Sequence, residues 1–182
     1  GETIRRQGRR VVEDITVRRF PVRRRDTQAF DRVNRKLMDG KQISPKEEQI
    51  FVEEMVNSPQ LYEYMRDAQD EYGLYVFIPY MFGTTYYGMQ VCPEKSVLIP
   101  CFHDEAYVYM RLFRQAYVKA RGMIYNAMPE MELANRVYDF TTTEQICMGI
   151  GMDTKIQSDA DAFRKQFGID KPLSCTPAER TW

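Results

Sequence analysis

The stretch Lys95-Ser-Val-Leu-Ile-Pro-Cys-Phe-His-Asp-Glu-Ala-Tyr-Val-Tyr109 is the most informative part of this chain. A short apolar run, Val97 to Pro100, leads into the only histidine, His103, and two carboxylates, Asp104 and Glu105, follow it directly. In open α/β sheets, ligands bind in the crevice outside the carboxyl ends of the strands. We therefore expect His103 to face a binding site and not the core.

Short apolar runs separated by helical segments continue on both sides of this stretch. The apolar runs are Leu74 to Ile78, Val97 to Pro100, Met123 to Tyr125 and Ile146 to Ile150, and the helical segments include Tyr107 to Ala120 and Pro129 to Val137. Such alternation is typical of βαβ units with right-handed crossovers. The predicted fold class is α/β, with a Rossmann-like, mostly parallel sheet flanked by helices.

The amino-terminal part carries mainly helix signals. The segment Val11 to Val22 is rich in β-branched and aromatic residues and predicts one or two strands ended by Pro21. The predicted helices are Asp26 to Met38 closed by Gly40, a second that opens at the capping box Ser44 to Glu47, a third that opens at Ser58-Pro59, and a last one from Asp159 to Gly168.

Composition excludes several classes of function. A chain of 182 residues makes one ordinary domain, and its 26 basic and 26 acidic residues balance, so no global field draws it to nucleic acid or an anionic membrane. Four cysteines are present without a CxxC pair, namely Cys92, Cys101, Cys147 and Cys175. This pattern predicts reduced thiols in a cytoplasmic protein and neither a zinc site nor any other cofactor.

Neither a secretion signal nor a membrane span is expected. The first ten residues are polar and basic, with no apolar stretch behind them. The uncharged run from Tyr72 to Val91 has the length of a span, but it contains Pro79 and three glycines. It predicts a buried strand followed by a turn and a short helix.

Five motifs occur in an order that resembles a known family. They are Val17-Arg-Arg-Phe-Pro-Val22, Tyr80 with Gly83-Thr-Thr-Tyr-Tyr-Gly88, Leu98-Ile-Pro-Cys-Phe-His-Asp-Glu105, Ile124-Tyr-Asn126 and Gly149-Ile-Gly-Met-Asp153. In this order they resemble the acceptor-side, N-terminal domain of a family 4 retaining glycosyltransferase with the two-domain GT-B fold. No motif is specific by itself, but five in order are a strong signal. The resemblance extends from about Gly1 to Pro172.

The resemblance implies a reaction and a role for the histidine motif. The family transfers a sugar from a nucleotide-sugar donor to a hydroxyl of a glycan or other acceptor, with retention and no required metal, usually in bacterial polysaccharide assembly. His103 would position the donor sugar and stabilise developing charge. The alternative is a hydrogen-bonded histidine that packs a loop.

Several other residues are candidates for the same site. Asp104 and Glu105 are grouped with His103 as catalytic candidates, although they could equally orient it, cap the next helix or contact acceptor hydroxyls. A metal site built from these consecutive residues is not expected. The predicted acceptor-binding residues are Tyr80, Thr84, Thr85, Tyr86 and Asn126, for which simple packing or strand termination is the alternative.

The chain departs from the family at both ends. Relative to that family, we expect a first strand with a glycine-rich loop to be missing before Gly1 and the donor-binding domain to be missing after Pro172. We expect residues 1–172 to form a partial N-terminal domain and residues 173–182 to be an unrelated tail. One choice of codons for the tail, read two bases later, encodes a peptide resembling the family's next strand, so a frameshift is our hypothesis. Such a fragment would be inactive alone and would form a homo-oligomer through its uncovered edge.

Two functions of other classes remain open. One is a non-catalytic module that binds a protein partner through an exposed sheet edge. The other is nucleic-acid binding through the nine arginines between Arg5 and Arg25. Because that tract is interleaved with acids and overlaps strand-like sequence, a solvated strand face is the favoured interpretation, and no nucleic-acid partner is expected.

Overall fold

The computed structural model describes residues 8–149, 151, 155 and 159–171 of the chain. The chain divides into two compact units, Gly1–Ile150 and Gly151–Trp182. The predicted boundary after residue 172, the tail 173–182 and most of the motif Gly149–Asp153 lie outside the described residues.

An antiparallel hairpin opens the described chain. It consists of β1 (Gly8–Val12) and β2 (Ile15–Arg19), with Val12 paired to Ile15. The two turn residues, Glu13 and Asp14, have φ values of 49° and 63°, as the primed turns of two-residue hairpins require. The expectation of strand structure before Pro21 is confirmed.

Three helices follow, and local side-chain caps explain where the first two begin. They are α1 (Thr27–Met38), α2 (Pro45–Glu54) and α3 (Pro59–Asp67). The Asp26 carboxylate accepts a 2.9 Å hydrogen bond from the Ala29 amide, and the predicted capping box between Ser44 and Glu47 is formed. All three predicted helices are confirmed.

A four-stranded parallel sheet forms the centre of the larger unit. Its strands are β3 (Tyr75–Phe77), β4 (Ser96–Leu98), β5 (Gly122–Tyr125) and β6 (Glu144–Cys147), hydrogen-bonded in that order. The connecting helices are α4 (Gly83–Met89), α5 (Arg111–Tyr117) and α6 (Met128–Val137). The predicted α/β class with a parallel sheet flanked by helices is confirmed, and this arrangement is compatible with a Rossmann-like fold. In the smaller unit, α7 (Ala160–Phe167) ends at Gly168, which is left-handed as expected of a C-cap glycine.

The strand order puts the core on one face of the sheet. Because the strands are consecutive in sequence and in space, right-handed crossovers place all three connecting helices on the same side. Leu98, Met123 and Tyr125 point to that side and are at most 1% exposed. Phe113 and Tyr117 of α5 stack in the same core, with ring centroids 5.3 Å apart.

The opposite face carries a row of four isoleucines, which we call the isoleucine face: Ile78, Ile99, Ile124 and Ile146. Ile124 is paired with Ile146, while Ile78 and Ile99 directly follow β3 and β4. Ile78 is 58% exposed and Ile146 is 53% exposed. The described part of the larger unit therefore leaves both ends of this row open to solvent.

The uncharged run from Tyr72 to Val91 forms a strand, a turn and a short helix, as expected. The expectation that its strand is buried is wrong, because β3 lies at the edge of the sheet and Val76 is 55% exposed. Among the described residues, no helix combines the length and apolar content that crossing a bilayer requires.

Candidate functional site

The ends of three neighbouring parallel strands bring most of the predicted site residues together. Tyr80 follows β3, the loop from Ile99 to Glu105 follows β4, and Asn126 follows β5. We call this set, with Glu130 of α6, the strand-end site. These residues lie at the carboxyl edge of the sheet, which is where ligands bind in open α/β folds.

Tyr80 joins the end of β3 to the loop that carries the histidine. Its amide donates to the Pro100 carbonyl at 3.0 Å, and its hydroxyl donates to Oε1 of Glu105 at 3.0 Å. The side chain is fully buried, and burial together with the Glu105 carboxylate raises the pKa of Tyr80 far above its usual range. The phenol therefore stays protonated and holds Glu105 in place.

His103 has an exposed side chain on a fixed backbone. Its carbonyl accepts a hydrogen bond from the Glu105 amide at 2.9 Å. The preceding residue, Phe102, is buried and stacks on Tyr138 with ring centroids 5.1 Å apart. The imidazole therefore reaches solvent, while Phe102 and Glu105 hold the loop in place on either side of His103.

Asp104 turns towards the surface and makes two polar contacts there. It accepts a 2.6 Å hydrogen bond from the Tyr109 hydroxyl and forms a 3.0 Å ion pair with Arg136. The bond from Tyr109 to Asp104 raises the pKa of that phenol. Glu105 is the first residue before the short turn Ala106–Tyr109, but its side chain makes no capping bond there. Glu105 therefore does not cap the following turn, which was one of the alternatives for Asp104 and Glu105.

Glu130 is a buried carboxylate that joins two of the strand ends. Its Oε1 accepts from the Phe102 amide at 2.8 Å, and its Oε2 accepts from the Asn126 amide at 2.8 Å. Sequence reasoning missed this residue, because an acid in the first turn of a helix is expected from the helix dipole alone. In the fold it aligns the histidine loop with the end of β5.

Asn126 and Cys101 are in contact beside this carboxylate. The Asn126 side-chain amide donates to the Cys101 sulfur at 3.5 Å. Cys101 has φ = 55°, and burial raises the pKa of its thiol. Cys92, Cys101 and Cys147 are free thiols, and Cys175 lies outside the described residues.

The predicted acceptor residues on α4 are placed differently. The Thr85 hydroxyl is buried and donates to the Pro79 carbonyl at 2.7 Å, while Tyr86 is half-buried and contacts Phe113 edge-on at 6.0 Å. Thr84 and Thr85 line a cavity at the β3 edge of the sheet. Only Tyr80 and Asn126 of the predicted acceptor set lie at the strand ends.

A second buried carboxylate, which the sequence did not reveal, anchors the helix after the histidine loop. Glu48 of α2 accepts from the Arg111 amide at 2.9 Å and the Leu112 amide at 3.0 Å, where α5 begins. A carboxylate at a helix N-terminus is stabilised by the helix dipole. The contact spans 63 positions of sequence between Glu48 and Arg111, so no local pattern could predict it.

The strand-end site offers hydrogen-bonding and electrostatic chemistry. It combines an exposed imidazole with an exposed carboxylate, Asp104, and a side-chain amide, which are groups that hydrogen-bond polar ligands and stabilise developing charge. Within residues 8–149, 151, 155 and 159–171, no three His, Cys, Asp or Glu side chains form a cluster suited to a metal ion.

Comparison with known proteins gave no relatives: no family model, curated protein or solved structure matches this chain. The glycosyltransferase resemblance therefore rests on the sequence motifs.

Proposed function

We propose that this chain is the acceptor-side domain of a retaining glycosyltransferase with the GT-B fold, which acts with a nucleotide-sugar donor and a glycan or other hydroxyl acceptor. The observation that carries the proposal is the position of His103. It is the only histidine, and it is exposed at the carboxyl edge of a parallel sheet on an anchored loop. The alternative, a hydrogen-bonded histidine that packs the loop, would require a buried ring, whereas His103 is exposed.

In this proposal the strand-end site has a division of roles. His103 positions the donor sugar and stabilises charge at the reacting centre. Asp104 and Asn126 contact sugar hydroxyls, and Glu105 fixes the histidine loop through Tyr80. The setting would be the bacterial cytoplasm, where nucleotide sugars are available.

We also propose that the chain does not transfer sugar alone. In the family, donor contacts from the second domain form part of the active site, and transfer depends on their preorganisation. Measurable transfer by the chain alone, from any common nucleotide sugar, would contradict this second point without touching the first.

The single histidine provides a direct test. In a protein labelled at one carbon of the histidine ring, His103 gives a single NMR signal. This signal can be followed while bacterial oligosaccharides and nucleotide sugars are added. The proposal expects at least one sugar ligand to shift this signal, and Asp104→Asn to weaken that ligand several-fold. Glu132→Gln, an exposed change on α6, is the control. If no member of either panel shifts the signal, the proposal is wrong.

Two arginines of the arginine-rich segment contact other side chains of the chain. Arg23 forms a 2.8 Å ion pair with Glu54, and the Arg25 guanidinium lies 4.8 Å from the Phe30 ring centroid. These two arginines are engaged within the chain and give the nucleic-acid alternative no support.

A further inference from the structure

A cavity of about 600 Å³ lies between the hairpin, α3, β3 and α4. Its size falls within the roughly 300–1,000 Å³ of ordinary small-molecule sites. The hairpin side contributes Arg9, Arg18 and Phe20, and α3 contributes Leu61 and Tyr64. The strand-end residues His103, Glu105 and Asn126 are not among those that line it.

Aromatic rings form much of the cavity wall. Phe20 and Tyr64 have ring centroids 5.3 Å apart, and Tyr72 and Tyr75 have centroids 5.5 Å apart. The hydroxyls of Tyr64 and Tyr72 are 2.5 Å apart, so one donates a hydrogen bond to the other. The rings therefore pack against one another and give the cavity an aromatic wall, against which an aromatic ligand body can pack.

Two guanidinium groups lie at the same cavity. The Arg18 carbon Cζ is 4.8 Å from the centroid of the Tyr64 ring, so the planar cation is held against the aromatic face. In the part of the chain that the structure describes, neither Arg9 nor Arg18 forms an ion pair with a carboxylate. Guanidinium groups of this kind bind oxyanions such as carboxylates and phosphates through paired hydrogen bonds.

Nearby acids limit how much negative charge the ligand can carry. Glu63, Asp67 and a third arginine, Arg19, line a neighbouring depression of about 450 Å³ that shares Arg9 and Arg18 with the cavity. The carboxylates of Glu63 and Asp67 would repel a ligand with several negative charges. A single anionic group is the best match to this balance.

We propose that the cavity binds a small molecule with a planar aromatic body and one anionic group. The aromatic wall takes the body, and Arg9 with Arg18 takes the anion. This inference does not depend on the sugar-transfer proposal, since it uses no residue at the strand ends.

Two fluorescent dyes test the proposal on the full chain. Anilinonaphthalene sulfonate has the proposed chemistry, and phenylnaphthylamine has the same body without the charge. The double variant Arg9→Gln/Arg18→Gln should weaken the sulfonate about tenfold and leave the neutral dye unchanged. The matched control, Arg32→Gln/Arg35→Gln, removes the same charge from the exposed side of α1 and should change neither dye.

A second pair of variants locates the dye. Thr84→Phe fills the cavity and should weaken both dyes, whereas Ile146→Thr alters the isoleucine face and should weaken neither. Circular dichroism confirms that each variant is folded. The proposal is overturned if the unmodified chain binds no sulfonate, if the two arginine double variants behave alike, or if only Ile146→Thr reduces binding.

Discussion

The Tyr80 hydroxyl donates a 3.0 Å hydrogen bond to Oε1 of Glu105 and so ties the residue after β3 to the loop after β4. The tyrosine end of this bond is fully buried, and the Glu105 amide in turn donates to the His103 carbonyl. The position of the only histidine thus depends on a contact between two strand ends.

Replacing Tyr80 by Phe should destabilise the protein and loosen the histidine loop. A hydrogen bond to a charged group contributes roughly 1.5–3 kcal/mol to stability. Because Glu105 is half-buried, we expect the free energy of unfolding, measured in urea, to fall by about 1–2 kcal/mol. Tyr109→Phe, which removes an exposed bond to Asp104, is the control and should cost less than about 1 kcal/mol. Equal losses in the two variants would show that the buried bond has no special role.

Replacing Glu130 by Gln should lower the free energy of unfolding by about 2 kcal/mol. The backbone amides of Phe102 and Asn126 each donate to one oxygen of Glu130, and in the variant one of them would face an NH₂ group. Glu132→Gln on the exposed side of α6 should change the unfolding free energy by less than about 0.5 kcal/mol. If both variants unfold at the same urea concentration, Glu130 does not anchor the strand ends.

Stability should fall in alkaline solution through the buried tyrosines. Burial raises the pKa of Tyr87 to about 12 and that of Tyr80 and Tyr117 further. In the unfolded chain these phenols ionise near about pH 10, so above that pH unfolding releases protons that the folded protein retains. The stabilisation is complete below about pH 10 and is lost as the pH rises further.

Urea unfolding between about pH 8 and about pH 11 measures this dependence. Above about pH 10, the free energy of unfolding should fall less steeply with pH for Tyr80→Phe than for the unmodified protein, because the variant lacks one buried phenol. An unchanged slope in the variant would mean that Tyr80 ionises normally in the folded protein.

Gly83 permits the close packing of α4 on α2, and Gly83→Ala should be strongly destabilising. A Cβ at this position would lie 2.5 Å from the Val52 carbonyl oxygen, which is backbone and cannot move aside cheaply. We expect a loss of about 1–3 kcal/mol by thermal or urea unfolding. Gly73→Ala is the control, because nothing lies within 4 Å of its Cβ, and a comparable loss there would rule out packing as the cause.

Local signals in the sequence predicted the elements well. Asp26 and Ser44 cap their helices through contacts within three residues, so the start of each helix follows from a few adjacent letters. The parallel strands were predicted from their apolar runs. These features need no knowledge of distant contacts.

The contacts that assemble the site could not be predicted in the same way. Glu130 reaches Phe102 across 28 positions, and Tyr80 reaches Glu105 across 25. Nothing in the residue types shows which of many acids will be buried. Thr84 and Thr85 were grouped with Tyr80 because they are adjacent in sequence, but the helix α4 carries them to the cavity at the β3 edge.

The isoleucine face should cause the chain to associate with itself. Ile78 and Ile146 are both more than half exposed, and β3 is an edge strand next to them. Burying such a face against a second copy removes apolar surface from water, and the balanced charge of 26 basic and 26 acidic residues gives little net repulsion. We expect light scattering to show a dimer or larger oligomer whose share rises with protein concentration.

Ile146→Lys should shift this equilibrium towards the monomer, because pairing would then bury an unpaired charge. Met38→Lys introduces the same charge at a side chain that is 72% exposed on α1, and it should leave the equilibrium unchanged. A monomer at all concentrations, or the same response to both lysines, would mean that this face is not where copies meet.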